Sequence, residues 1–325
     1  MKLKKTVALI LCAALFACLC GCGENDAATA KRYVAVIVKS VSSDFFRNMK
    51  NGVDTAATEY NVKVTFEGPE SEEDYESQNR MIENAVNNGA DAIVLSAIDY
   101  EKSNAAIESA VKKGVKVITV DSGVSSDLVS LFIGTDSAEA GRTAGRAVQD
   151  VFSNGNGEKI RIGLITYTED TDNGKRRVDG FKEAISAAKN AEIVTEKVAP
   201  STTDGAKAAA ISVIEEYPQV NVLVGFNEWM TLGVGEAIRN TDSAKRIKGI
   251  GFDTNIVSVG MLETGEMSVL IAQNPFAMGY LGVKNADDIL SGDNPPATPV
   301  YTAVTAVTRE NMFDEDIQKI LFRFK

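Results

Sequence analysis

Residues Gly89 to Asp121 read GADAIVLSAIDYEKSNAAIESAVKKGVKVITVD. Two apolar runs in this stretch, Ala92 to Leu95 and Lys116 to Val120, flank a segment of helical period, Lys102 to Lys113. A strand that is apolar throughout is typical of a parallel sheet buried on both faces, and parallel neighbours need a crossover such as this helix. The stretch therefore predicts a strand–helix–strand unit whose second strand ends at Asp121.

The same alternation continues in both directions along the chain. Short apolar, β-branched runs predict strands at Tyr33–Val38, Val62–Phe66, Ala92–Leu95, Lys116–Val120, Leu131–Ile133, Ile160–Ile165, Ile193–Val198, Val222–Val224, Lys248–Gly251 and Ser268–Ile271. Segments of helical period predict helices at Phe45–Glu59, Asp74–Asn88, Lys102–Lys113, Ala138–Phe152, Gly174–Ala188, Ala206–Glu216 and Glu228–Arg239. Because the alternation is repeated twice over, we expect an α/β fold with two parallel sheets, each covered by helices on both faces.

The N-terminal leader predicts secretion. A basic start precedes an apolar run, residues 7–19, that is too short for a membrane span, so residues 1–21 are expected to be a signal peptide. The sequence Leu19-Cys-Gly-Cys22 is similar to the bacterial lipobox, which predicts a lipid on Cys22 and a polar tether over residues 22–30. The alternative is an ordinary signal peptide with incidental cysteines.

Composition excludes several classes of function. All four cysteines lie in the leader region, so the mature chain is expected to have no disulfide and to depend on two large cores. The formal charge is −11, and loss of the three leader lysines makes it more negative. An acidic surface repels phosphate backbones and anionic headgroups, so we expect no nucleic-acid partner and membrane association only through the lipid.

The chain has no histidine, which excludes Ser-His and Cys-His nucleophile pairs and histidine metal sites. Neither a metal nor another cofactor is expected.

Polar residues follow most of the predicted strands at their carboxyl ends, where open α/β sheets collect ligands. These residues are Lys39, Ser40, Glu67, Ser96, Asp121, Ser122, Thr135, Asp136, Thr166, Asn227, Glu228, Asp253, Gln273 and Asn274. Carboxylates, amides and hydroxyls suit a neutral polyhydroxylated solute, because each sugar hydroxyl can donate and accept at once. The sequence therefore predicts a cleft for a small sugar or polyol.

Several stretches, in order along the chain, resemble the ribose-binding type of ABC transporter proteins. They are Val36–Phe46, Gly89–Leu95, Gly114–Ser122, Ile133–Asp136, Arg177–Ala184, Phe226–Glu228, Gly251–Asp253 and Ala272–Tyr280. The resemblance implies two Rossmann-like, doubly wound lobes with parallel sheets, joined by a three-crossing hinge and closing on a ligand. It also implies a monomer that serves an ABC permease and is not an enzyme. The first lobe is expected at residues 31–135 and 274–302, and the second lobe with the tail at 136–273 and 303–325.

The resemblance places ligand contacts on ten residues of this chain. They are Lys39, Ser43, Phe45, Phe46, Asp121, Ser122, Arg177, Asn227, Asp253 and Gln273. Two of them depart from the ribose binders, which carry an arginine at the position of Ser122 and a small hydroxyl residue at that of Lys39. Since a hydroxyl cannot replace a guanidinium fork, ribose itself is not the expected ligand.

The aromatic residues have alternative roles. Phe45 and Phe46 could pack on the apolar face of a sugar ring, or could act as a hydrophobic staple where a helix begins. Trp229, the single tryptophan, could stack on the ligand or belong to the core.

The charged residues also allow more than one interpretation. Asp121 and Asp253 could accept two protons from a vicinal diol, or could simply end their strands in turns. Lys39 and Arg177 could balance those carboxylates, bind an acidic sugar, or lie solvated at the rim. At the level of the whole protein, the alternatives to transport are a sensory co-receptor for a histidine kinase or chemoreceptor, and a surface glycoside hydrolase with the two aspartates as acid and base.

Overall fold

The structure is a computed structural model that describes residues 31–153, 157–168, 170–296 and 299–321. The predicted leader, Cys22 and the tether lie outside the described residues. Within the described ranges, no helix combines the length and the apolar character that crossing a membrane requires.

Six parallel strands form the first sheet. They are β1 (Tyr33–Ile37), β2 (Lys63–Glu67), β3 (Ala92–Leu95), β4 (Lys116–Val120), β5 (Leu131–Thr135) and β11 (Val300–Thr302). Their order across the sheet is β11-β5-β4-β3-β1-β2, and every neighbouring pair is parallel. The residues of β1 and β3 are buried throughout, as an apolar strand covered on both faces requires.

The second sheet repeats the arrangement of the first. Its strands are β6 (Ile160–Thr166), β7 (Ala191–Val198), β8 (Val222–Gly225), β9 (Lys248–Phe252), β10 (Met267–Ala272) and β12 (Thr305–Thr308). The order is β12-β10-β9-β8-β6-β7, in which each strand corresponds to one in the first sheet. Only the pairing of β10 with β12 is antiparallel among the described strands, because the chain enters this edge from the opposite direction.

Helices connect the strands and cover both sheets. They are α1 (Asp44–Glu59), α2 (Tyr75–Asn87), α3 (Asn104–Lys112), α4 (Ser137–Val151), α5 (Asp172–Ser186), α6 (Thr203–Glu216), α7 (Glu228–Asn240), α8 (Ile256–Thr264), α9 (Pro275–Leu290) and α10 (Glu315–Leu321). All ten predicted strands and all seven predicted helices are present. The sequence pattern does not predict α8, α9 and α10 or the two edge strands β11 and β12. In α8 the apolar residues have no helical period, and α9 begins with a proline that reads as a loop residue.

The fold is α/β, with two lobes each built on one sheet, which confirms the predicted fold class. The chain passes between the sheets three times, after β5, after β10 and between β11 and β12. We propose lobe boundaries in these three connections, as the sequence analysis expects.

Close helix pairs fix the position of α5, which carries two residues of the cleft described below. A Cβ atom at Gly141 of α4 would lie 2.0 Å from the carbonyl oxygen of Arg177 in α5, and one at Gly180 would lie 2.1 Å from that of Ala138. Only glycine allows backbones to approach this closely. The first lobe uses the same device, since a Cβ at Gly52 of α1 would lie 2.0 Å from the carbonyl oxygen of Phe276 in α9.

Candidate ligand-binding cleft

The carboxyl ends of the two sets of strands face each other across one cleft. Nine of the ten predicted contact residues line it: Lys39, Ser43, Phe45, Phe46, Asp121, Arg177, Asn227, Asp253 and Gln273. Four further residues line the same cleft: Glu72, Tyr167, Asn173 and Glu228. All thirteen side chains are buried, so a ligand held here exchanges water for fixed polar groups of the protein.

Asp121 is the centre of a charged network that joins the two lobes. Its carboxylate lies 3.1 Å from the Lys39 ammonium and 3.9 Å from the Arg177 guanidinium, and it accepts hydrogen bonds from Ser96 Oγ at 2.9 Å and Asn173 Nδ2 at 3.0 Å. Burial disfavours the charged form of Lys39, but the neighbouring Asp121 carboxylate holds the pKa of the ammonium above its ordinary value. Lys39 is therefore a charged, paired residue and not a free cation at the rim.

Asp253 occupies the opposite wall of the cleft. Its Oδ1 accepts a hydrogen bond of 2.5 Å from Gln273 Nε2. Burial raises the pKa of Asp253 to about 6, although the Arg177 guanidinium and this hydrogen bond oppose the shift. The Arg177 guanidinium itself lies 5.1 Å from the centre of the Phe252 ring and donates to the Phe226 carbonyl at 3.0 Å.

Two buried polar atoms near Asp253 have no hydrogen-bond partner among the described residues. They are Nε of Arg177, a donor, and Oε1 of Gln273, an acceptor. Buried polar groups are nearly always satisfied, and here one donor and one acceptor that line the same cleft are not. A hydroxyl group supplies both functions at once.

Glu228 connects the lobes at the start of α1. Its carboxylate accepts hydrogen bonds from the Asp44 and Phe45 amides at 3.2 and 3.1 Å, and from the Ser43 hydroxyl at 2.5 Å. These are the free N–H groups of a helix N-terminus, which favours an anion both by hydrogen bonding and by the helix dipole. Glu228 thus fastens α7 of the second lobe to α1 of the first.

Glu72 connects the lobes a second time, as a side chain of the first lobe that contacts the second. It lies between β2 and α2, and its Oε2 accepts from Ser201 Oγ at 3.2 Å and from Asn227 Nδ2 at 3.3 Å in the second lobe. Burial raises the pKa of Glu72 to about 7, against the opposing effect of Lys39. Both of its hydrogen-bond donors are neutral, and no Lys or Arg among the described residues forms an ion pair with it.

The remaining predicted residues divide between cleft and core. Phe45 and Phe46 contact each other edge to face at 5.1 Å; both line the cleft and both belong to the first lobe's core. Trp229 is partly buried against the core of the second lobe, outside the cleft lining. Ser122 is the one predicted contact that does not line the cleft; its hydroxyl is buried without a partner among the described residues.

Four cleft residues are not among the predicted ligand contacts. Glu228 closely follows β8 and is one of the polar residues at strand ends, and Tyr167 directly follows β6, so both have a positional signal. Asn173 lies in the first turn of α5, and Glu72 lies in a polar loop with no strand directly before it. For these two the sequence pattern offers no signal.

The chain is similar to known sugar-binding proteins over most of its length. A family model described as periplasmic binding protein domain matches residues 34–294. A ribose import binding protein of Haemophilus influenzae is 27% identical, and the match covers 86% of this chain and 93% of that protein. A D-allose-binding periplasmic protein of Escherichia coli is 26% identical, with 82% and 87% covered. These relatives are named as binding proteins and not as enzymes.

Two solved structures show the same architecture with a sugar bound. A carbohydrate transporter solute-binding protein from Agrobacterium radiobacter, in complex with D-arabinose, has a TM-score of 0.87 and 27% identity, with 90% of this chain and 100% of that chain covered. An ABC transporter solute-binding protein from Agrobacterium vitis with bound D-fucose has a TM-score of 0.84 and 28% identity, with 89% and 100% covered.

Proposed function

Because this chain belongs to the periplasmic binding protein family, we propose that it is a lipoprotein that captures a small sugar or polyol between its lobes and delivers it to an ABC transporter permease. Membership of the family indicates a location outside the cytoplasm and a role in sugar binding and not in catalysis. The lipid on Cys22, the permease partner and the individual ligand contacts are parts of the proposal.

One observation carries the choice of ligand. The cleft combines acceptors on both lobes with an unmatched donor, Arg177 Nε, and an unmatched acceptor, Gln273 Oε1. A polyhydroxylated solute matches such a lining, because every hydroxyl can accept from one residue and donate to another. In this proposal the ligand bridges Asp121 of the first lobe and Asp253 of the second, and its contacts with both walls stabilise the closed arrangement.

The other candidate functions are less well supported. A surface hydrolase would use Asp121 and Asp253 together as acid and base, but the named relatives are sugar-binding proteins and not enzymes. A sensory co-receptor would use the same cleft and differ only in its partner. The named relatives that import ribose favour delivery to a permease.

Ligand binding is tested with a panel of sugars, D-ribose, D-allose, D-arabinose and D-fucose, by thermal unfolding and calorimetry. We expect at least one sugar to raise the melting temperature, and Asp253→Asn to abolish the rise. Asp242→Asn is the matched control, because Asp242 has the same left-handed backbone (φ of 50°, against 69° for Asp253) on an exposed turn of the same lobe. Equal stabilisation of wild type and Asp253→Asn would contradict this cleft.

The anchor is tested by membrane fractionation. Cys22→Ser should release the protein from the membrane fraction, since the lipid is the proposed anchor. Cys20→Ser changes a nearby cysteine of the same leader and should leave the protein bound. Release by both variants, or by neither, would contradict lipidation at Cys22.

A further inference from the structure

The charges that line the cleft are unevenly matched. Two cations face four carboxylates: Lys39, Arg177, Asp121, Asp253, Glu72 and Glu228. Both cations lie within 4 Å of Asp121, at 3.1 and 3.9 Å. The part of the chain that the structure describes shows no Lys or Arg in an ion pair with the other three carboxylates.

These three carboxylates differ in what compensates their charge. Glu228 lies on the N-terminus of α1, where two backbone amides and the helix dipole favour an anion. Asp253 has the Gln273 amide at 2.5 Å and the field of Arg177. Glu72 has two long hydrogen bonds, of 3.2 and 3.3 Å, both from neutral groups, and the field of Lys39, which is already paired with Asp121; its side chain is buried. A negative charge on a ligand would therefore meet a weakly compensated carboxylate in a site of low dielectric constant.

Building on the proposed sugar-binding function, we propose that Glu72 is a specificity residue that restricts the cleft to sugars without a negative charge. Lys39 already pairs with Asp121, and the Arg177 guanidinium already balances Asp121 and Asp253, so the carboxylates of the cleft outnumber its cations before a sugar acid enters. Neutral sugars satisfy Glu72 by donating a hydroxyl proton to it. The ligand class is thus uncharged sugars and polyols, as opposed to uronic or aldonic acids.

The proposal predicts a dependence on pH. The groups that face Glu72 are Lys39 after β1, Asp121 after β4, and Glu228, Ser201 and Asn227 of the second lobe. Because burial raises the pKa of Glu72 to about 7, the carboxyl group is mostly protonated at about pH 6 and ionised at about pH 8. Rejection of an anionic sugar should therefore strengthen as pH rises through this interval.

The experiment compares the dissociation constants of a neutral sugar and of the hexuronic acid with the same ring configuration, by calorimetry at about pH 6 and about pH 8. The neutral sugar is the one that binds most tightly in the panel of the binding test above. Two further pairs, D-galactose with D-galacturonate and D-glucose with D-glucuronate, are measured in the same way. The measured ratio is the dissociation constant of the acid divided by that of the neutral sugar. In wild type this ratio should be at least about ten at the higher pH. Glu72→Gln should reduce this ratio by about tenfold and weaken its pH dependence, leaving the part that comes from Asp253.

Glu70→Gln is the matched control, because it makes the same charge change two residues away, on an exposed side chain of the same loop outside the cleft lining. It should leave the ratio unchanged. A wild-type ratio near one, an unchanged ratio in Glu72→Gln, or an equal change in Glu70→Gln would overturn the proposal while leaving sugar binding intact. Failure of every sugar to bind would instead contradict the proposed function itself.

Discussion

Asp121 and Asp253 occupy equivalent positions in the two lobes. Each directly follows the fourth strand of its sheet in chain order, and each has a left-handed backbone, with φ of 60° and 69°. Each donates its amide at 3.0 Å to a carbonyl of the next strand, Ile133 and Ile271 respectively. Positive φ is costly for residues other than glycine and is tolerated best by Asn and Asp. Among the described residues this cost is accepted at Asn61, Asp121, Asp242 and Asp253, and two of these four, Asp121 and Asp253, line the cleft.

The two aspartates should nevertheless respond differently to the same substitution. Asp121→Asn leaves Lys39 and Arg177 buried without their counter-charge, which should lower the free energy of unfolding by about 3 kcal/mol. Asp253→Asn removes a carboxylate whose ionisation burial disfavours, so it should be neutral or stabilising at about pH 8. Asparagine retains the tolerance for positive φ in both cases. Urea unfolding of both variants measures the difference; equal losses would contradict this account of the charges.

The free energy of unfolding should fall as pH rises from about 5 to about 8. The pKa of Glu72 is raised from 4.5 to about 7 and that of Asp253 from 3.8 to about 6, so the folded chain holds protons that the unfolded chain has released. The stabilisation is fully present below the ordinary values and is lost as pH rises through the raised ones.

Glu72→Gln mimics the protonated carboxyl group and should isolate the contribution of Glu72 to this pH dependence of stability. Its stability should match that of wild type at about pH 5 and exceed it by on the order of 2 kcal/mol at about pH 8. Urea titrations at both pH values test this. If the difference between variant and wild type does not change with pH, the Glu72 carboxylate is not desolvated as described.

Glu228→Gln should loosen the closed arrangement of the lobes. The substitution removes a charged acceptor from the N-terminus of α1, an interaction worth about 1–2 kcal/mol. We expect a larger radius of gyration of the ligand-free protein by small-angle X-ray scattering, and weaker sugar binding by about tenfold. Glu236→Gln is the control, because Glu236 lies on the same helix and pairs with Lys207 on the surface. An unchanged radius of gyration and affinity in Glu228→Gln would show that this contact does not hold the lobes together.

Gly141→Ala should impair stability and binding together. The new methyl group would lie 2.0 Å from the Arg177 carbonyl oxygen, so α4 and α5 must separate and Arg177 must move. We expect a loss of about 2 kcal/mol in the free energy of unfolding and a weaker affinity for sugar. Gly260→Ala is the contrasting variant: it lies within α8 with no atom inside 4 Å, and it should stabilise the chain by about 0.5 kcal/mol. Full retention of sugar affinity in Gly141→Ala would show that the packing of α4 against α5 does not affect the cleft.

Much of the cleft was predictable from the strand pattern. Lys39, Asp121, Asp253 and Gln273 directly follow or lie close to the ends of apolar strands, and parallel strands bring such ends to one edge of a sheet. Ser122 follows the same strand as Asp121 but does not line the cleft. Strand position thus identifies an edge of the sheet without selecting which side chains turn inward.

The elements that the sequence pattern does not predict lack a local hydrophobic period. Helix α8 is apolar without a polar face, and β12 joins its sheet only because the chain returns to the second lobe late and antiparallel. Both are held by packing against a sheet that already exists.

The sequence by itself determined two wound sheets and their polar edges, because burial on both faces gives each strand a continuous apolar run. The strand ends include Lys39, Asp121, Asn227, Glu228, Asp253 and Gln273, whereas the resemblance to ribose binders placed Ser43, Phe45, Phe46 and Arg177. Tertiary structure alone decided how the charges are shared. Glu72 meets Ser201 and Asn227, and Glu228 meets the start of α1, across more than a hundred residues of chain. Such pairings follow from the closure of two lobes, and their energies depend on desolvation that no local pattern of residues encodes.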